Sequence, residues 1–183
     1  MRVIARLVPL MLVVFIIGCA AKGPVHEARD DNRVVYTSAR TGQTVIVEIG
    51  SAYTYDSFIK RDFKGTDFHG FLYRADDESV ILVSKMPRAE FEDLIGFTLD
   101  APASSTRQYP PKTIFQSAYC KLVRTYVTTL DTDVVSAVKL QTPTTDESLC
   151  EDWTSLDEVM AERFDMLADF DASADENIHM ILQ

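Results

Sequence analysis

The chain has 183 residues, with 28 acidic side chains against 18 basic ones and a net charge of −10. That length gives one domain enough chain for a real core. The acidic balance excludes the common kind of nucleic-acid binder, which takes most of its affinity from basic contacts to phosphate. Net charge of this sign also supplies solubility and favours basic partners over anionic lipid surfaces.

The first element is an apolar run from Leu7 to Gly18, preceded by Arg2 and Arg6 and no acid. As a helix its roughly 12 residues would reach about 18 Å, short of the roughly 30 Å hydrocarbon core of a bilayer. Pro9 shortens it further, so the run reads as a cleaved signal segment and not as a span. It ends in Ile16-Ile17-Gly18-Cys19, followed by Ala20-Ala21.

This junction resembles the lipobox of bacterial lipoproteins, in which a branched residue, a small residue and then Cys close the signal. The resemblance covers residues 1–21 alone. It implies cleavage before Cys19, diacylation of its thiol and acylation of the new amino terminus. Several acyl chains anchor a protein where one would not. Position 20 is Ala, not the Asp that often marks inner-membrane retention. The resemblance therefore implies the outer membrane, facing the periplasm, with the cell surface and the inner membrane as alternatives. The division that follows is a signal peptide at 1–18, a lipidated Cys19 with a flexible tether at 19–32, and one globular domain at 33–183. Loss of Arg2 and Arg6 takes the charge of the remainder from −10 to −12.

Residues 20–32, AAKGPVHEARDDN, are small, polar and charged, and His26 among them reads as solvated. Arg33 to Ile49 reads as a hairpin: Val34-Val35-Tyr36 and Val45-Ile46-Val47 flank the turn-like Ala39-Arg40-Thr41-Gly42. Tyr53 to Arg74 concentrates aromatic residues, with Lys60, Arg61, Lys64 and Arg74 among them. The charges and Gly65 predict an exposed loop over 59–67, and Arg61, Phe63 and Lys64 are its candidate partner-binding edge. Strands burying aromatics in a sheet core would give the same composition.

Phe68 to Tyr73 and Val80 to Val83 form a second hairpin around Asp76-Asp77-Glu78. Val80-Ile81-Leu82-Val83, apolar on both faces, predicts a central strand. Pro87 opens a short helix carrying Phe91, Leu94 and Ile95, with Gly96 as its stop. Residues 100–112 read as a Pro-rich loop. From Thr113 to Leu130 apolar pairs recur every four residues, which predicts a helix giving way to strand near Thr125. Asp131-Thr132-Asp133 is a turn and Val134 to Leu140 a strand. Ser155-Leu156-Asp157-Glu158 is a capping box. It opens a helix with an apolar stripe of Leu156, Val159, Met160, Phe164 and Leu167, the acids forming its solvated face. The fold class is thus α+β: a mainly antiparallel sheet with two or three packed helices.

Once Cys19 is lipidated, Cys120 and Cys150 remain, and an even pair in an oxidising envelope reads as one disulfide. Its loop of about 31 residues stabilises by roughly 3–4 kcal/mol on the chain-entropy account; two buried thiols are the alternative. Ser57/Lys60 and Ser136/Lys139 match S-x-x-K, but no S-D-N or K-T-G accompanies them. Asp169, Asp171, Ser173, Asp175 and Asn177 fall at calcium-loop spacing, yet Ala174 stands at the glycine place and Met180 at that of the bidentate Glu. An acidic, mobile tail explains them better. Of the histidines only His69 lies in a structured segment.

No catalytic residue, metal site or cofactor follows from these patterns. The expected function is a non-catalytic, lipid-anchored envelope protein that binds or supports another envelope component, with no nucleic acid among its partners. The alternatives are a periplasmic inhibitor or immunity protein against a basic toxin or wall hydrolase, and a small envelope hydrolase built around His69 or a Ser–Lys pair.

Overall fold

The structure is a computed structural model and describes residues 25–63, 66–95, 98–100, 106–143 and 153–183. Its strands are β1 (Val25–Asp30), β2 (Arg33–Ser38), β3 (Thr44–Ile49), β4 (Thr54–Phe63), β5 (Thr66–Arg74), β6 (Val80–Pro87), β7 (Arg107–Gln116), β8 (Lys121–Leu130), β9 (Asp133–Gln141) and β10 (Ile178–Leu182). Two α-helices join them among the described residues, α1 (Arg88–Ile95) and α2 (Leu156–Asn177). Every strand pairing is antiparallel. The strands form a four-stranded sheet, β1-β2-β3-β10, and a six-stranded one, β4-β5-β6-β9-β8-β7. The expected antiparallel, sheet-rich architecture therefore holds, divided between two sheets where one was expected.

Period-two alternation decides what each face buries. The small sheet turns Val34, Tyr36, Val45, Val47, Ile178 and Met180 inward against Phe71, Tyr73, Ile81, Val83, Tyr126 and Ala137 of the large one. Beside it on the same face of the large sheet lies α2, where Val159, Leu167 and Phe170 pack on Leu122 and Trp153. The opposite face receives α1 through Phe91, Met86 and Val134. Coverage of both faces explains why Val80–Val83, in the interior strand β6, is apolar throughout.

Four expectations are corrected. Residues 25–30 of the expected tether are strand β1, paired with β2 from Val25↔Ser38 to Asp30↔Arg33. Residues 107–112 are not loop but the start of β7. Its Pro110-Pro111 fall where the register shifts between Tyr109 and Lys112, on an edge strand that needs no N–H there. Residues 113–130 hold no α-helix: β7, a 3₁₀ turn at Ser117–Tyr119 and β8 occupy them. The apolar pairs put one residue on each face of a sheet buried on both sides, Leu122 and Tyr126 inward, Val123 and Val127 outward. The acidic tail is ordered, as the end of α2 followed by β10.

The capping box is present: the Glu158 N–H donates to Ser155 Oγ, and Glu158 Oε2 accepts from the Ser155 N–H. The stripe beyond it is broken. Arg163 is non-helical (φ −137°, ψ 42°), so the two halves of α2 bury different faces. Val159 and Leu167 are core, whereas Phe164 is 63% exposed and Met160 37%.

The joint between the layers is at Gly50 and Asn177. The Gly50 N–H donates to the Asn177 carbonyl at 2.9 Å, and Asn177 Nδ2 donates to the Ser173 carbonyl at 2.8 Å. A Cβ on Gly50 would lie 2.0 Å from Asn177 Oδ1 and 3.1 Å from its Cα. Gly50→Ala should therefore cost about 2 kcal/mol, the range of a small overpacking, read as a lower denaturation midpoint. An unchanged midpoint would show that the joint is slack.

Candidate functional site

The alternation that buries Val135 and Ala137 of β9 also turns Lys139 inward, and its side chain is fully buried. Its ammonium donates to Ser173 Oγ of α2 at 2.8 Å and lies 4.9 Å from the centre of the Phe170 ring. Burial pushes the Lys139 pKa down, against the opposing pull of Asp77 and Asp171. Asp77 stands in the turn between β5 and β6. Its Oδ1 accepts from the Ser79 hydroxyl at 2.5 Å and from the Ser79 N–H at 3.0 Å, and Tyr53 Oη lies 2.7 Å from Ser79 Oγ. Burial alone would raise the Asp77 carboxyl; the Ser79 hydrogen bonds and the Lys139 charge outweigh it and hold the group below its ordinary value.

These groups border a cleft of about 370 Å³ lined by Asp77, Gln141, Met166, Asp169, Phe170 and Ser173. Its floor is the turn before β6 and the end of β9; its wall is one face of α2. A second set of contacts fixes that wall. Arg124 of β8 reaches Asp171 at 3.1 Å and Asp175 at 2.8 Å, and Asp171 also accepts from Thr113 Oγ1 at 2.7 Å. The Tyr126 hydroxyl donates to Asp175; burial first, then that carboxylate, push its pKa up.

The residues singled out in the sequence lie elsewhere. Arg61 and Phe63 belong to β4, where they pair with Phe68 and Thr66 of β5, so 59–63 and 66–67 of the expected loop are paired strand. Their side chains, and Lys64, lie outside the described residues, as do Cys19 and Cys150. Cys120 is disulfide-bonded and caps the 3₁₀ turn in a left-handed conformation (φ 48°). Ser136 does not face Lys139, because three residues along a strand reverse the face; it pairs with Ser84 at 2.9 Å. Asp169 to Asn177 are continuous helix and cannot wrap a cation as a loop. No group of three or more His, Cys, Asp or Glu side chains suited to a metal occurs among the described residues. His69 spans the layers, with Nε2 3.7 Å from Glu27 Oε2 and its ring beside Phe58.

Lys139 carried a usable signal: it is the one charged residue within the mostly apolar run Val134 to Leu140. Ser173 carried none, because only the return of α2 across the sheet brings it there. No family model matches the chain, and neither a curated protein nor a solved structure is similar to it.

The buried ammonium gives a pH signature. The folded pKa of Lys139 lies below the ordinary 10.5. Between the two values the unfolded chain binds the extra proton, so stability rises with pH there; below the folded value both states are protonated and the penalty is constant. Lys139→Met removes the penalty and leaves Asp77 solvated. The variant should be as stable as the wild type or about 1 kcal/mol more so at neutral pH, and the difference should shrink as pH climbs towards 10.5. Denaturant titrations at several pH values check this; a destabilised variant with no such trend would show Lys139 to be a net source of stability.

Proposed function

We propose that the protein is a lipid-anchored, non-catalytic binding protein of the cell envelope, held through Cys19 at the outer membrane and facing the periplasm. Its binding site is the cleft beside Lys139. One observation carries the choice of binding over turnover: Ser173 lies inside α2, whose backbone N–H groups are committed to helical hydrogen bonds. A nucleophilic serine needs free donors beside it to hold the oxyanion that forms on attack, and a helix interior offers none. What the cleft does offer is two carboxylates, an amide, a hydroxyl and the apolar Met166 and Phe170, a set suited to holding a polar partner.

The Ser173–Lys139 contact is also the observation that favours a hydrolase, and the two readings separate cleanly. A fluorophosphonate probe should leave Ser173 unmodified in mass spectra of the native protein; a Ser173 adduct would overturn the binding reading. A photo-crosslinking residue placed at Gln141 in living cells should yield a discrete adduct, and the same residue at Arg33 none. Equal patterns at both positions would remove the cleft from the proposal.

The anchor is tested separately. Fatty-acid labelling should mark the chain, and Cys19→Ser should abolish the label; label retained by that variant would refute acylation at Cys19.

A further inference from the structure

We infer that the exposed face of α2 from Asp157 to Asp169 is a docking surface for a basic polypeptide segment that carries apolar anchors. The inference rests on the binding reading above and gives the partner its chemistry.

The face is apolar at its centre. Met160 and Phe164, on either side of the non-helical Arg163, are 37% and 63% exposed. An unbroken amphipathic helix would carry them towards the core with Val159 and Leu167; the non-helical Arg163 between them turns this part of the stripe outward.

The surroundings are acidic. The helix carries eight carboxylates and a single base, Arg163. Four of the eight are engaged: Glu158 in the cap, Glu162 accepting from Trp153 Nε1, and Asp171 and Asp175 on Arg124. Asp157, Asp165 and Asp169 are exposed and make no ion pair among the described residues. Asp157 stands three residues before Met160, Asp165 adjoins Phe164 and Asp169 follows Asp165 by four, so carboxylates flank both apolar side chains along the exposed part of the helix. Asp169 lines the cleft as well, which makes the face continuous with it.

Charge complementarity selects the occupant. A second copy of this helix would press two faces of like charge together, and an anionic lipid surface meets the same repulsion. A segment bearing lysines or arginines neutralises the three free carboxylates, while its apolar side chains cover Phe164 and Met160. An apolar centre then supplies most of the affinity, and the charged rim supplies speed and selectivity.

The test titrates the full-length protein, in phosphatidylcholine nanodiscs, with an amphipathic leucine–lysine peptide of about 14 residues, long enough to form a helix on contact. Control peptides carry Glu for Lys or Ser for Leu. The leucine–lysine peptide should bind at least about tenfold more tightly than either control, and more weakly as salt rises. Phe164→Ser and the pair Asp165→Asn with Asp169→Asn should each weaken it by about tenfold without lowering the thermal midpoint, since all three side chains are exposed. Wild-type affinity in those variants would overturn the surface. If Gln141 still cross-links to a partner, the cleft reading survives that failure; a Ser173 adduct would instead strike the cleft reading. Binding to phosphatidylglycerol vesicles in place of the peptide, or dimerisation that Phe164→Ser abolishes, would assign the face to lipid or to a second copy and overturn the proposal equally.

Discussion

The arrangement depends on where α2 is fastened. At its end Asn177 meets Gly50 across a gap that only hydrogen can occupy, and the next residue, Ile178, enters the small sheet opposite Ile49. One turn earlier Arg124 ties Asp171 and Asp175 to the large sheet. The first contact sets the helix against one layer and the second against the other. Ser173 lies between these anchors, so its position over Lys139 follows from them. The same closure joins the ends of the domain. The chain leaves the small sheet after β3, builds the whole of the large sheet, and returns through α2 to complete the small sheet with β10.

Lys139 is an expensive residue to keep. A buried ammonium loses its hydration, and one hydroxyl with a distant pair of carboxylates replaces that hydration only in part. An apolar side chain would fit the inward alternation of β9 without this cost. Positions where a fold carries such a cost commonly lie at sites that act on something outside the fold. The adjoining cleft gives this position an outside to act on. Asp77, drawn below its ordinary pKa by its Ser79 hydrogen bonds and by Lys139, lines that cleft.

Much of the sheet was legible because its strands are short and β-branched, with punctuation at Gly42 and Asp76-Asp77-Glu78; the capping box at Ser155 was legible for the same local reason. The errors came where tertiary structure decides. Apolar pairs at four-residue spacing fit a helix or a strand covered on both faces, and nothing local says that α1 and α2 cover opposite faces of β8. The polar stretch before Arg33 lacks strand character, yet β2 presents an edge with which it pairs. The kink at Arg163 has no glycine or proline to announce it, so Phe164 read as core. For the site, Lys139 was visible as a charge out of pattern. Its partners Asp77 and Ser173 are 62 and 34 residues away, and no spacing rule spans such distances.

The acidity of the chain also changes meaning once the helix is placed. Glu158/Glu162, Asp165/Asp169 and Asp171/Asp175 are like-charge pairs at i,i+4, each a small cost to α2. Acids at its carboxyl end oppose the helix dipole, and no basic residue stands in its last turn. Arg124, reaching across from β8, relieves the last pair and supplies the positive charge that the end of the helix lacks. The first pair is held by the cap and by Trp153. The middle pair has no such compensation among the described residues, and it borders the exposed Phe164. Solubility asks only for charge somewhere on the surface. It does not account for carboxylates placed where they repel each other, around an uncovered aromatic ring and beside a cleft. The basic partner proposed for this face would relieve the repulsion and cover the ring in one contact, so the features that weaken the isolated helix are the ones that would favour such a complex.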